Sequence, residues 1–276
     1  MLGVMQGRLS KSLSGKVQEF PTGTWKSEFM LANKIGVKAI EWTVDHDDYR
    51  SNPIFDKKLA PNIIDVAEQS EVSIPSITLD CFVVAPIHSV NEITGLRSNP
   101  EDLVWVANNI CVPGLDTLVL PIVAEAGNFD KDTLKNLIDS LARSGDKIAG
   151  LGKRIAIECE FEIPLIAELL DALDPQVFGI NFDMGNSAAM GHSAKEEITT
   201  CGKRIFNVHI KDRPFKGKTV PLGSGSVNFK EVADGLSEIS YGGNMILQAA
   251  RSFVLSEVDE VANYVKFCEG LGWTND

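Results

Sequence analysis

The chain has 276 residues, 44% apolar and 23% charged, with a net charge of −12. It is too long for a small stapled domain, about right for one α/β barrel, and rich enough in apolar residues to bury a large core. The acid excess argues against a nucleic-acid partner, whose phosphates need a Lys/Arg surface, and the longest apolar runs, such as 115–124, fall short of a bilayer span.

Strand and helix signals alternate along the whole chain. The N-terminus enters a strand-like run at once (Leu2-Gly3-Val4-Met5) with no basic segment ahead of it, so no signal peptide is expected. A helix is expected around 25–35, a strand at 37–42, a helix at 59–69 and a strand at 74–79. Ser98-Asn99-Pro100-Glu101 then opens a helix, with capping-box spacing and Pro near the first helical position. A strand at 115–121 leads to a helix with apolar residues at Leu134, Leu137, Ile138, Leu141, Ile148 and Leu151, close to the 3.6 period, ended by Gly150 and Gly152. Strand 154–158, helix 164–173, strand 177–183, a short helix near 194–201, strand 204–211, helix 228–240, strand 245–248 and helix 257–270 follow, the last with Ser256 as N-cap. Eight strand–helix pairs imply parallel pairing and fit a closed (β/α)8 TIM barrel better than an open sheet. No linker divides the chain, so residues 1–276 read as one domain. Five scattered cysteines without a CxxC pair read as reduced thiols in a cytoplasm.

The most informative stretch is Phe206-Asn207-Val208-His209-Ile210-Lys211-Asp212-Arg213. Its period of two puts Asn207, His209 and Lys211 on one face of a strand that ends in charge. Two earlier strands end likewise, in Glu158 and Asp183. In a barrel of this kind the site lies at the C-terminal strand ends. Those ends read Gln6-Gly7-Arg8, Glu41-Trp42, Asp80-Cys81, Pro121, Glu158, Asp183, His209 and Gln248. Glu158, Asp183 and His209 form a mixed oxygen and nitrogen set suited to one divalent ion, with Gln248 able to add an amide oxygen. Taken singly, a strand-end carboxylate is more often a helix cap or ion-pair member, and a lone His a hydrogen-bonded one. Their coincidence at one depth favours a metal site. Loops 82–99 and 214–227 are long for βα connections and are expected at the mouth.

Gly3-Val4-Met5-Gln6-Gly7-Arg8, Ile40-Glu41-Trp42, Ala156-Ile157-Glu158, Phe182-Asp183-Met184-Gly185-Asn186, Val208-His209-Ile210-Lys211-Asp212 and Leu222-Gly223-Ser224-Gly225-Ser226-Val227-Asn228-Phe229 together resemble the xylose-isomerase-like TIM barrels. That group holds sugar and sugar-phosphate isomerases and epimerases, inosose dehydratases and isomerases, hydroxypyruvate isomerase and endonuclease IV. The resemblance implies that Glu158, Asp183, His209 and Gln248 are the four metal ligands, with Mn²⁺ the first choice and Mg²⁺, Co²⁺, Zn²⁺ or Fe²⁺ compatible. It implies that Glu158 is one of two acid/base positions, that the substrate is a small carbohydrate or polyol, and that a homo-oligomer forms.

Two departures bear on the chemistry. The family's epimerases carry Glu where this chain has Gln248, and often His where it has Asn186. An amide cannot exchange a proton at neutral pH, so a two-faced exchange between Glu158 and residue 248 is not expected. One-base chemistry survives: aldose–ketose isomerisation, or α-proton abstraction with loss of a β oxygen, as in a lyase or dehydratase. Lys211, Glu160, Glu41 and His88 are candidates for the second proton-transfer role. A barrel that has lost catalysis and only binds sugar is the rival from another class. An endonuclease is distant, since four spread histidines cannot build a His-rich metal cluster.

Around the site, Arg8, Arg213 and Arg251 could grip a carboxylate or phosphate, against the plain alternative of ion pairing. Gln6, Glu41, His88, Glu160 and Asn186 complete the expected substrate contacts. Trp42 could stack on a sugar, while Trp25 reads as helix packing. Gly223-Ser224-Gly225 lacks the Lys and helix start of a phosphate loop and reads as a turn at the mouth. His46 and His192 read as surface residues, and Cys81 has no His beside it to make it a nucleophile.

Overall fold

The computed structural model describes residues 1–276 apart from 13, 14, 17, 46, 47, 92, 123–130, 252, 253, 275 and 276. Eight parallel strands close in sequence order: β1 (Leu2–Met5), β2 (Ala39–Thr43), β3 (Ser76–Thr78), β4 (Thr117–Ile122), β5 (Arg154–Cys159), β6 (Phe178–Asp183), β7 (Ile205–Ile210) and β8 (Asn244–Leu247), with β1 pairing back onto β8. This is a single (β/α)8 TIM barrel. Closure removes the sheet edges, and the intervening helices cover the outer face, which is why strands such as Thr-Leu-Val-Leu-Pro-Ile of β4 are buried along their whole length.

The helices are α1 (Trp25–Lys34), α2 (Ala60–Gln69), α3 (Cys81–Val84), α4 (Pro100–Asn109), α5 (Lys131–Gly150), α6 (Ile163–Ala172), α7 (Met184–Met190), α8 (Ala194–Cys201), α9 (Phe229–Glu238) and α10 (Glu257–Gly270). The expected cap of α4 is shifted by one residue. Asn99 and Asp102 form the reciprocal box around Pro100, the Asn99 N–H donating to Asp102 Oδ2 at 2.9 Å. Ser256 caps α10 as expected, accepting from the Asp259 N–H. Between β6 and β7 the chain forms two helices where the periodicity suggested one. The extra helix, α7, has Gly185, Asn186 and Ser187 in its first turn, which have little intrinsic helix preference, before two alanines and a methionine that favour it; Asp183, the last residue of β6, caps its start.

Side chains alternate in and out. Ile40 and Trp42 face the helix layer, where the Trp42 ring sits among Phe20, Trp25 and Phe29 at centroid distances of 5.4, 5.4 and 6.5 Å. The other face of the same strands carries Glu41, Ser76, Asn181, Asn207 and His209, all buried. Burying such groups costs several kcal/mol each unless they are paired. The partners they find define the site. Among the described residues no helix is long and apolar enough to cross a membrane.

Candidate active site

The lower layer of the site is a hydrogen-bonded web inside the barrel. Glu41 Oε2 accepts from the Ser76 hydroxyl at 2.7 Å and from Asn207 Nδ2 at 2.8 Å, while Oε1 lies 2.8 Å from His209 Nε2. Asn207 Nδ2 also donates to Asn181 Oδ1 at 2.9 Å, and Asn181 Nδ2 donates to Glu158 Oε2 at 2.9 Å. Strand register explains the stacking. Asn181 pairs with Asn207 and, one rung higher, Asp183 pairs with His209.

At the upper layer one donor atom each from Glu158, Asp183 and His209 lies within 4.8 Å of the others. His209 Nδ1 is 3.0 Å from Glu158 Oε2 but makes no aligned hydrogen bond there. Glu158 is held by Asn181 on one oxygen and by Asn186 Nδ2 on the other, at 3.2 Å. Burial would raise its carboxyl, yet the His209 and Lys211 charges and the Asn181 bond hold it below the usual carboxylate range. Burial would likewise keep His209 neutral, but the carboxylates of Glu41 and Glu158 on its two sides lift it well above the usual imidazole range. Asp183 is raised by burial although Lys211 opposes that. Asp183 Oδ1 accepts the Asn186 N–H at 2.8 Å as the cap of α7, while its other oxygen faces the site. Its Oδ2 receives the Lys211 ammonium at 3.0 Å, and the same ammonium donates to Gln248 Oε1 at 3.1 Å. Gln248 lies just past β8, its N–H still bonded to the Ile210 carbonyl.

A divalent ion fits this donor set. Two carboxylates and an imidazole converge, and the nitrogen on the ion's side is the one without a hydrogen bond. The opposite nitrogen is fixed by Glu41, the carboxylate–histidine arrangement that orients imidazole ligands in metal sites. Loading the site would release the His209 proton.

The rim is tied together by Arg213. Its Nη1 donates to Glu160 Oε1 at 2.6 Å and to Asn186 Oδ1 at 2.7 Å, and its Nε to the Gly217 carbonyl at 2.9 Å. Arg213 and Glu160 therefore pair with each other, and through Asn186 they steady Glu158. Next to Arg213, Asp212 is buried. Its Oδ2 accepts the N–H groups of Gly223 and Gly225 at 2.9 and 2.8 Å, and its Oδ1 that of Val227 at 3.2 Å. The two glycine amides of the Gly-Ser-Gly run thus cradle an anion, but it is the chain's own carboxylate. A Cβ at Gly225 would run into that carboxylate, which is why glycine stands there.

On the opposite wall, Glu28 of α1 accepts the N–H groups of Gly7 and Leu9 at 2.8 and 3.1 Å, and Arg251 donates to the carbonyls of Gly7 and Ser10 at 2.6 and 2.9 Å. Arg251 therefore braces the loop after β1. Arg8, carried by that loop, is buried. Burial and the neighbouring Arg251 lower its guanidinium to about 9. Gln6 Oε1 accepts the Thr43 N–H at 3.1 Å, and its buried Nε2 has no acceptor among the described residues.

Several expectations are corrected. Trp42 is fully buried in the helix layer and offers no ring to a sugar, because the residue beside an inward Glu41 must point outward. Glu41 is itself fully enclosed beneath His209, so it positions that ring and lies below any substrate. His192 is not a surface residue: its side chain is buried, with Nδ1 3.1 Å from Glu197 Oε2. His46 lies outside the described residues. His88 is buried in the loop after β3, where burial and Arg97 lower it to about 4. Cys81, which the sequence did not suggest as a nucleophile, is buried, and burial raises its thiol far above a nucleophile's range. Sequence reading passed over Asn181 and Ser76, which are buried on the inward face of their strands, and gave no role to Asp80 beyond its place at a strand end. The Asp80 carboxyl accepts from the Thr78 hydroxyl at 3.0 Å and is raised to about 7 by burial and by the charge of Glu158.

Residues 29–264 match the family model of the xylose isomerase-like TIM barrels. The chain belongs to that family. It is 22% identical over 255 residues to the putative L-ribulose-5-phosphate 3-epimerase UlaE of Shigella dysenteriae serotype 1, covering 87% of this chain and 88% of that protein. It is 22% identical over 262 residues to the putative L-ribulose-5-phosphate 3-epimerase SgbU of Escherichia coli K12, covering 90% and 87%. A D-psicose 3-epimerase crystallised in the presence of D-fructose has the same fold, with a TM-score of 0.72 at 13% identity over 99% of both chains. A xylose isomerase domain protein from Planctomyces limnophilus gives 0.70 at 16% identity over 98% and 96%.

Proposed function

We propose that the protein is a sugar isomerase or epimerase that uses a divalent ion held by Glu158, Asp183 and His209, with Gln248 beside them. The observation that carries this reading is the convergence of three ligand atoms within 4.8 Å around an imidazole nitrogen that has no hydrogen bond. The family and the sugar epimerases among its relatives agree with it. A bound ion would supply positive charge to the oxygens of a sugar carbonyl and its neighbouring hydroxyl.

The rest is the work of the chain. Glu158, ionised at neutral pH, removes the proton from the carbon next to the carbonyl; the C–H bond breaks, its electron pair forms a C=C bond, and the carbonyl π pair moves onto oxygen, giving an enediolate. Asn181 and Asn186 fix the carboxylate for that transfer. Lys211 and Asp80, both close enough to feel the Glu158 charge, are the donors for the returning proton. Gln6 Nε2 is a buried donor for a substrate oxygen. Because the Gln248 amide cannot carry a proton, elimination of a β oxygen after the same first step is the second reading.

Incubation with Mn²⁺ and free or 5-phosphorylated ketopentoses and ketohexoses in D₂O tests this. Deuterium should enter beside the carbonyl, and Glu158→Gln should abolish it. Absence of exchange from every sugar would remove the isomerase reading, and release of water with formation of an enone would favour the lyase.

A further inference from the structure

The Lys211 ammonium lies within the donor set, 3.0 Å from Asp183 Oδ2 and 3.1 Å from Gln248 Oε1, and the contact is largely buried on both the lysine and the aspartate. The lysine reaches that place because nothing stands under its stem. A Cβ on Gly185, the second residue of α7, would come within 2.8 Å of Lys211 Cγ and 3.1 Å of its Cβ. Gly185 has no positive φ to account for its being glycine, so close approach of the lysine is the reason on view. The charge balance suits a single positive charge at this point. Asp183 contributes a carboxylate, Gln248 only an amide dipole, and Glu158 already faces His209 at 3.0 Å. A carboxylate at 248 would concentrate negative charge there and favour a doubly charged ion over an ammonium.

We propose that Lys211 is a cation built into the donor set, seated between Asp183 and Gln248, and that a divalent ion enters only by displacing it. This rests on the metal reading above and adds to it. Metal affinity in this chain is set by exchange with a tethered ammonium, and loading the site turns the Lys211 amine out toward the mouth. No covalent step is involved: the Asp183 and Gln248 oxygens change partner from nitrogen to metal.

The test uses Mn²⁺ alone, titrated into the full chain without substrate and followed by calorimetry and by the Mn²⁺ EPR signal. Lys211→Met and Lys211→Gln, each checked for folding by circular dichroism, should bind Mn²⁺ about tenfold or more tightly than wild type, the scale of one charge-assisted hydrogen bond no longer to be broken. Gly185→Ala, which pushes the stem without removing the charge, should move affinity the same way, and should add nothing in the Lys211→Met background. If wild type binds Mn²⁺ and both Lys211 variants bind no tighter, the exchange is refuted while the metal site stands. If none of the proteins binds Mn²⁺, the metal reading falls and the exchange with it.

Discussion

Replacing Asp212 by Asn tests how the mouth is held open in one shape. A single buried carboxylate gathers the N–H groups of Gly223, Gly225 and Val227, and its backbone carbonyl accepts from Val220 at 2.9 Å. It thereby ties the far end of loop 213–228 to the end of β7, next to Lys211 and Arg213. An asparagine of the same shape can set its one oxygen against Gly223 and Gly225, which leaves its NH2 facing the Val227 N–H, donor against donor. Hydrogen bonds to a charged group contribute about 1.5–3 kcal/mol and neutral ones about 0.5–1.5, so the two retained bonds weaken by about 1 kcal/mol each. The third is lost, which leaves the half-buried Val227 N–H without its acceptor at about 1 kcal/mol more. The sum is about 3 kcal/mol, and at about 2 °C per kcal/mol for a chain this long, Tm should fall by about 6 °C. Calorimetry gives that number, and limited proteolysis should show new cleavage within 214–227 while the barrel stays resistant. A variant that melts within about 1 °C of wild type, with unchanged cleavage, would refute the view that this carboxylate organises the loop.

Other outcomes follow from the same geometry. Glu28 is raised by burial to about 7 from an ordinary 4.5. A carboxyl raised in the folded state keeps its full contribution below the unfolded pKa and loses it as pH rises through the folded one. Denaturant titrations should therefore lose about 3 kcal/mol between pH 4.5 and 8 in wild type beyond what Glu28→Gln loses, and identical slopes would discard the assignment. Gln248→Glu adds a charge to the donor set and should tighten Mn²⁺ about tenfold or more; unchanged affinity would take residue 248 out of that set. Glu41→Gln removes the carboxylate that orients His209 and should weaken Mn²⁺ by about 10–100-fold, read by calorimetry. Equal binding would show that the ring is held by other contacts.

The alternation of βα signals, and with it the barrel and the ends of its strands, was legible in the sequence because each βα unit declares itself locally. Period-two runs mark strands, 3.6-period runs mark helices, and caps such as Ser256 mark their starts. The inward face of β7 was legible too, since Asn207, His209 and Lys211 alternate with apolar residues. What local pattern cannot carry is which side chain meets which across the closed barrel. Glu41 and His209 are 168 residues apart, yet in contact. Trp42 turned out to be core and Glu41 the post beneath His209 because closure fixes which parity of β2 faces inward. The Gly-Ser-Gly run found its anion in Asp212, and Lys211 found Asp183 and Gln248, only once three strands and the start of α7 were brought to one end of the barrel. Residue types and their spacing named the ingredients; the register of parallel strands around a ring decided the contacts, because chain closure sets distances that no neighbouring residue can see.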